Sequence, residues 1–212
     1  RQGDVLARTG FSRLADADKP TGAPIRYVRE RPGELVHQDH KKLGRVPPGG
    51  GHRLLGRVEG RRGRGAGYDH FEVIVDDMSR VACVVPVPDE SGASATMALE
   101  AAAVFFAERG VRIERVLTDN AKAYTRSRLY AGLLEELGIL HKRTRPYRPQ
   151  TNGKAERFIR TLLAEWAYAR PYRSNAERLA ALPRWVRFYN ERRHHTALDG
   201  RTPLEVLSTR SV

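Results

Sequence analysis

The chain has 212 residues, of which 40% are apolar and 30% charged, with 38 Lys+Arg against 25 Asp+Glu and a formal net charge of +13. That length buries one sizeable core with arms, the apolar content excludes wholesale disorder, and a single cysteine, Cys83, excludes a disulfide framework or a multi-cysteine zinc knuckle. With no apolar run near the roughly 20 residues of a spanning helix and no signal pattern, a soluble cytosolic protein without membrane contact is expected, and a surplus of this size points to a polyanionic partner.

Residues 1–33 open on Arg1, carry a short helical pattern (Val5, Leu6, Phe11, Leu14) and run through Pro20, Gly22, Pro24, Pro32 and Gly33. This reads as the trailing end of an upstream element followed by a linker, and the missing Met suggests a piece of a longer protein. Glu34–His40 is a predicted strand. The stretch Gly44–Gly67 holds nine glycines and Pro47-Pro48, and residues 41–66 carry eight Lys/Arg against Glu59 alone, a charge of +7. It reads as a basic arm that orders on phosphates, or simply as a solvated loop. His70–Val75 and Arg80–Val87 are predicted strands joined by an Asp76-Asp77-Met78-Ser79 turn.

Ala93–Arg109, closed by Gly110, predicts a helix, Ile113–Thr118 a strand, Tyr124–Leu137 a helix closed by Gly138, and Ile139–Thr144 a fifth strand. Pro146 and Pro149 impose a loop before a helix over about 152–168, which ends ahead of Pro171. Ser174-x-x-Glu177 is a capping box for the next helix, expected to break at Pro183 and resume to about Arg193. A second box, Thr202-Pro203-Leu204-Glu205, starts a short terminal helix. Three strands, then alternating helices and strands, then helices predict an α/β fold: a five-stranded mixed sheet with helices on both faces. The boundaries read as a linker to 33, a core over 34–195 and a tail over 196–212.

Residues 142–170 form a second basic stripe, with eight Lys/Arg against Glu156 and Glu165, or +6. Three carboxylates lie near the basic segments: Asp39 near the end of the first strand, Asp119 directly after the fourth, and Glu156 early in the third helix. On that helix Phe158, Ile159, Leu162, Leu163 and Trp166 make an apolar arc, and Glu156 falls at its margin, where it could face a sheet edge. Strand ends at one edge are where ligands bind in open α/β folds. Carboxylates gathered there repel one another unless cations neutralise them, and hard oxygen donors suit Mg²⁺ or Mn²⁺. Two such ions bridging a scissile phosphate would stabilise both the attacking and the leaving oxygen. Each residue also has an ordinary reading: Asp119 as a cap, Glu156 as an i+4 partner of Arg160, Asp76-Asp77 as a turn pair. Periodicity leaves both readings open.

The local wording adds a resemblance. Val116-Leu117-Thr118-Asp119-Asn120-Ala121, the run from Thr144 through Pro146-Tyr147-Arg148-Pro149-Gln150-Thr151-Asn152-Gly153-Lys154-Ala155-Glu156 to Phe158, and Glu34-Leu35-Val36-His37-Gln38-Asp39 with Lys41-Lys42-Leu43-Gly44 closely resemble the integrase core of DDE-type insertion-sequence transposases. Val75–Arg80 and the tail from Tyr189-Asn190 to Thr202-Pro203 match as well, so the resemblance runs from about residue 34 to 205. It implies a ribonuclease-H-like fold related to retroviral integrases. It further implies Asp39, Asp119 and Glu156 as the catalytic triad holding two Mg²⁺ or Mn²⁺ ions, with 36 residues between Asp119 and Glu156, close to the family's usual gap. Metal-dependent cleavage at element ends and strand transfer into target DNA follow, with a homo-oligomer on DNA as the working form at the nucleoid. Departures lie beside the triad: His40 in place of a small or apolar residue, Lys122 in place of an aromatic, and Arg193-His194-His195 without the frequent proline.

For the nucleic acid, Tyr147, Arg148, Gln150, Asn152 and Lys154 offer hydroxyl, amide and cationic groups beside Glu156. Arg157 and Arg160 extend that stripe along the helix, and Lys41 and Lys42 head the first one. A solvated basic face is the plainer account of any one of them. Two other functions stay open at this level: a nuclease that cuts without joining, and a silent DNA-binding remnant. His37, His40, His141, His194 and His195 have no cysteine partners and read as structural or phosphate-facing; Trp166 and Trp185 read as core.

Overall fold

The computed structural model describes residues 29–51, 54–56, 67–144 and 153–209. The helical pattern before residue 29, most of the glycine-rich arm and the loop carrying Tyr147, Arg148, Gln150 and Asn152 lie outside the described residues. Strands β1 (Val36–Gly44), β2 (Tyr68–Asp76), β3 (Ala82–Val87), β4 (Arg115–Thr118) and β5 (Leu140–Arg143) form one sheet in the order β3-β2-β1-β4-β5. The β1-β2 and β2-β3 pairs are antiparallel, and β1-β4 and β4-β5 are parallel. The helices are α1 (Gly92–Ala107), α2 (Lys122–Thr125), α3 (Arg128–Leu137), α4 (Gly153–Leu162), α5 (Asn175–Glu191) and α6 (Pro203–Ser208). The expected five-stranded mixed sheet with helices on both faces is what forms. Among the described residues no helix is long and apolar enough to cross a membrane.

Alternation along the strands sorts the side chains into two layers. Val36, Ile74, Cys83 and Val87 face α1 and α3, where Ala95, Ala98 and Ala102 let α1 lie close against the sheet beside Leu99 and Phe106. Phe71, Val73, Val75 and Ala82 face the other way and pack against Phe158, Ile159 and Leu162 of α4 and Leu182, Trp185 and Tyr189 of α5. The predicted apolar arc of α4 is therefore the buried one, and both tryptophans are core. The terminal helix is packed as well, with Leu207 in the first layer and Val206 against Met78 and Leu198. Its capping box is complete, with Thr202 Oγ1 accepting from Glu205 N and Glu205 Oε2 accepting from Thr202 N at 2.7 Å.

Four boundaries differ from the sequence reading. β1 continues to Gly44, because Lys41–Gly44 pair with Tyr68–Phe71 of β2, so Asp39 sits in mid-strand rather than near its end. The helix expected over 124–137 is two helices, since Ser127 Oγ accepts from Tyr130 N and restarts the chain as an N-cap. The helix begun at Gly153 widens into a π turn at Leu163–Ala167, where the Trp166 carbonyl accepts from the Tyr172 hydroxyl at 2.8 Å. Pro183 does not interrupt α5. One face of that helix is buried through Leu182, Trp185 and Tyr189, and the Arg178 carbonyl one turn before the proline accepts from Trp166 Nε1 at 2.9 Å. That packing outweighs the single ladder bond a proline removes.

Candidate active site

The parallel pairing of β1 with β4 aligns Val36 with Val116 and His37 with Leu117, an offset of 80 residues (116 − 36). Carried two residues beyond the paired positions, the same register sets Asp39 level with Asp119, the first residue beyond β4, and the Asp119 charge reaches the Asp39 carboxyl. The two carboxylates thus stand at one level on adjacent strands, Asp39 half-buried and Asp119 exposed. Asp39 Oδ1 accepts from His40 N at 2.9 Å, and Asp119 Oδ1 accepts from Ala121 N at 2.8 Å. Asp119 is therefore also the turn former that its Asp-Asn-Ala context allows, and its second oxygen has no hydrogen-bond partner among the described residues.

Glu156 arrives on α4, one turn from that helix's start, and is exposed. It makes no ion pair with Arg160. The helix is pinned beside the sheet by its apolar arc and by Lys154, whose Nζ is ion-paired with Oδ1 of Asp77 in the β2-β3 turn. Asp77 is 3% exposed and also accepts from His37 Nε2 at 2.8 Å and Arg29 N at 2.8 Å. Burial works to raise its pKa, yet these donors together hold Asp77 well below the usual carboxylate range. Burial lowers the Lys154 ammonium to about 8, with Asp77 opposing the shift. Asp76 beside it accepts from Ser79 N and Oγ and from Gly33 N. The predicted turn pair is real, and it also ties α4 and the entry to β1 together.

The electrostatics join the three carboxylates. Burial raises Asp39 from 3.8 to about 6, the bond from His40 N opposes it, and the negative charges of Asp119, Glu72 and Glu156 raise it further. A half-buried acid that three neighbouring carboxylates push upward is a place where a cation gains energy by entering. The donors are all hard oxygens, so the set fits a divalent ion of the magnesium or manganese kind. The carboxylate oxygens of the three do not all lie within 4.8 Å of one another; among the described residues the group that does is His40, His70 and Glu90.

Beside Glu156 a cleft of about 670 Å³ runs along α4, lined by Arg157, Arg160, Arg80 and Arg193 among others. Of the expected nucleic-acid residues, Lys154, Arg157 and Arg160 line this cleft, and Lys154 is also ion-paired with Asp77. Lys42 lies 3.9 Å from Glu90 and over the Tyr68 ring, and Lys41 is half-buried. The sequence reading did not select Arg80, Arg193 or His195 for this wall. Arg80 has φ 65° and donates to the Asp77 carbonyl, a turn conformation with no pattern in the chain to flag it. Arg193 is chelated by Glu165 at 2.8–3.1 Å, and burial together with Arg193 lowers His195 to about 4.

The opposite face of β1 carries a buried polar chain that sequence also missed. Tyr130 Oη donates to Gln38 Oε1 (2.8 Å), Gln38 Nε2 to Glu72 Oε2 (2.9 Å), and Tyr124 Oη to the same oxygen (2.9 Å). Glu72 Oε1 pairs with His40 Nδ1 at 3.0 Å, and Thr118 Oγ1 with His141 Nε2 at 2.9 Å. The residues flanking Asp39 and Asp119 are thereby held by packing beneath the sheet.

Comparison with known proteins agrees with this architecture. Two family models described as integrase core domain match residues 30–149 and 137–203, the first covering more than half of the chain. An uncharacterized protein of insertion element IS136 from Agrobacterium fabrum is 30% identical over 110 residues, 51% of this chain and 55% of that protein. The chain thus spans about half the length of that relative. A chain in the structure of the simian T-cell lymphotropic virus intasome with a PP2A regulatory subunit superposes with TM-score 0.64 at 18% identity, covering 91% of this chain and 61% of its own. The HTLV-2 integrase catalytic core in complex with magnesium superposes with TM-score 0.55 at 16% identity, covering 84% and 97%. These likenesses identify a ribonuclease-H-like fold.

Proposed function

The chain belongs to the integrase core domain family, and from that premise we propose that it is the catalytic core of a transposase that cleaves and joins DNA strands at Asp39, Asp119 and Glu156. The observation that carries the reading is the matched level of Asp39 and Asp119 on adjacent strands, with Glu156 near enough for its charge to raise Asp39.

Asp39, Asp119 and Glu156 would hold two Mg²⁺ or Mn²⁺ ions, in keeping with the magnesium of the HTLV-2 core. Bound there, the ions supply Lewis-acid stabilisation of the attacking and leaving oxygens of an in-line phosphoryl transfer. The chain itself supplies position and charge. Lys154 and Asp77 fix the rotation of α4, so that Glu156 stays at the sheet edge. Arg157 and Arg160 draw the phosphate backbone into the cleft, where Arg80 and Arg193 form the farther wall. Tyr147, Arg148, Gln150 and Asn152 would contact the strand around the scissile bond. Lys41 and Lys42 would track phosphates beyond it, and copies of the chain would assemble on DNA; the HTLV-2 core is described in a trimeric form.

Glu156→Gln decides the matter. The variant should keep its circular dichroism and melting temperature but lose Mn²⁺-supported nicking of supercoiled plasmid and joining of 3′-hydroxyl oligonucleotides into it. Full activity in that variant overturns the assignment. Nicking without joined products in the unaltered chain would make it a nuclease, and Mn²⁺-independent DNA binding without either product would make it a silent binding domain.

A further inference from the structure

We propose that His40, His70 and Glu90 form a second metal site, distinct from the carboxylate triad and suited to zinc. The donor atoms of these three side chains lie within 4.8 Å of one another, and no described residue of the triad belongs to the group. His40 is on β1, His70 on β2 and Glu90 in the turn entering α1, so the site would clamp three elements. His40 neighbours Asp39 in a strand, and so points to the other face of the sheet, behind the triad rather than in it.

The two imidazoles are already at ligand spacing. His40 Nε2 stands 3.1 Å from His70 Nδ1. Two nitrogens bound to one tetrahedral zinc at about 2.05 Å are about 3.3 Å apart, so the spacing is within about 0.2 Å of that of a ligand pair, and a rotation of the two rings would turn both lone pairs onto the ion. The rings are inclined at 40° with centroids 5.3 Å apart, which leaves the two nitrogens turned toward each other without stacking.

The tautomers follow from the buried chain behind them. Tyr130 donates to Gln38 Oε1, which turns the Gln38 amide nitrogen onto Glu72. Burial and the Glu72 charge hold the Tyr124 hydroxyl far above its usual range, so it keeps its proton and donates to Glu72 as well. Glu72, 1% exposed, is left as an acceptor toward His40 Nδ1 at 3.0 Å. His40 therefore carries its hydrogen on Nδ1 and presents the Nε2 lone pair outward. A carboxylate that fixes and polarises a ligating histidine in this way is the usual outer support of zinc sites. Binding then requires His70 to carry its hydrogen on Nε2 and offer Nδ1 as a ligand.

The third ligand is exposed and adjustable. Among the described residues Glu90 Oε1 has only a loose pairing, 3.9 Å, with the solvent-facing Lys42, which can swing out to water. Asp89, held by Ser91 and Ser94, interacts electrostatically with His70 and adds negative charge beside the site. Two imidazoles with one carboxylate select zinc over magnesium, because nitrogen donors suit the softer ion. Water would complete the tetrahedron.

The test is calorimetric titration of the chelator-treated chain with ZnCl₂ in excess Mg²⁺, which occupies hard-oxygen sites. One zinc per chain is expected, weakened at least tenfold in His70→Gln and in Glu90→Gln, and unchanged in Asp119→Asn. Glu90→Gln alters an exposed side chain and leaves the fold intact, so that arm reads the site even if His70→Gln misfolds. Cobalt(II) should give the visible spectrum of a tetrahedral nitrogen-oxygen site that Glu90→Gln abolishes. No zinc bound, binding unchanged in Glu90→Gln, or binding lost in Asp119→Asn each overturns the proposal.

Discussion

Lys154 on α4 and Asp77 in the β2-β3 turn form a mostly buried ion pair two residues from Glu156. It binds the helix that carries one proposed catalytic carboxylate to the sheet that carries the other two. Removing one partner of such a pair leaves the other uncompensated, which costs far more than the pair contributes. Asp77→Asn should therefore lower unfolding free energy at pH 7 by about 3 kcal/mol in a urea titration. The folded Asp77 is more acidic than the unfolded one, so its stabilisation is present above about pH 4 and is lost as pH falls. The gap between variant and parent should close in acid.

Asp39 behaves in the opposite sense. Its carboxyl is raised from 3.8 to about 6, so the folded state holds the proton more tightly than the unfolded one. Metal-free stability should fall as pH rises from about 4 through about 6, and Asp39→Asn should flatten that slope in melting temperatures taken in chelator. Mg²⁺ or Mn²⁺ needs the ionised form, so the melting-temperature gain on adding metal should grow over the same interval. Asp119→Asn, by removing one of the repelling charges, should move the metal-free transition to lower pH.

The cleft arginines separate by their partners. Arg160 lines the cleft and makes no ion pair with any described residue, whereas Arg193 is chelated by Glu165. Arg160→Ala should weaken DNA binding about equally across sequences and reduce the slope of log K against log salt by about 1. Arg193→Ala should change that slope by less, because Glu165 already neutralises part of its charge. Fluorescence anisotropy across a salt series measures both.

Trp166 closes the layer behind α4, edge-on to Phe71 with centroids 5.5 Å apart and bonded to the Arg178 carbonyl. Trp166→Ala should cost about 3–5 kcal/mol of unfolding free energy in urea through the cavity it leaves. Trp166→Phe keeps most of the volume and loses the bond to a buried carbonyl, for about 1–3 kcal/mol.

Much of this molecule was legible in the chain. Five strands and the helix order follow from period and punctuation: Gly138 adopts φ 65° as the stop that its position predicts, and the Thr202 box closes as written. The apolar arc Phe158–Trp166 named the buried face of α4, because a 3.6-residue period records which side meets the sheet. The proposed triad of Asp39, Asp119 and Glu156 starts from wording and from a setting among basic residues. Pro183 predicts a break that does not form, since a single-residue penalty is local whereas the burial that overrides it comes from Trp166 and the sheet.

Tertiary structure alone decided the rest, because register and burial arise between segments that are distant in sequence. The offset that levels Asp39 with Asp119 is a property of the β1-β4 pairing. Lys154 reads as one more cation of a basic stripe until Asp77, 77 residues earlier, meets it from another element. His40, His70, Glu72 and Glu90 are unremarkable as spaced along the chain, and only the β1-β2 ladder and the turn into α1 bring them to one place. The sequence by itself determined which chemistry the chain contains. Long-range pairing determined which charges neutralise one another, and which are left to meet a ligand.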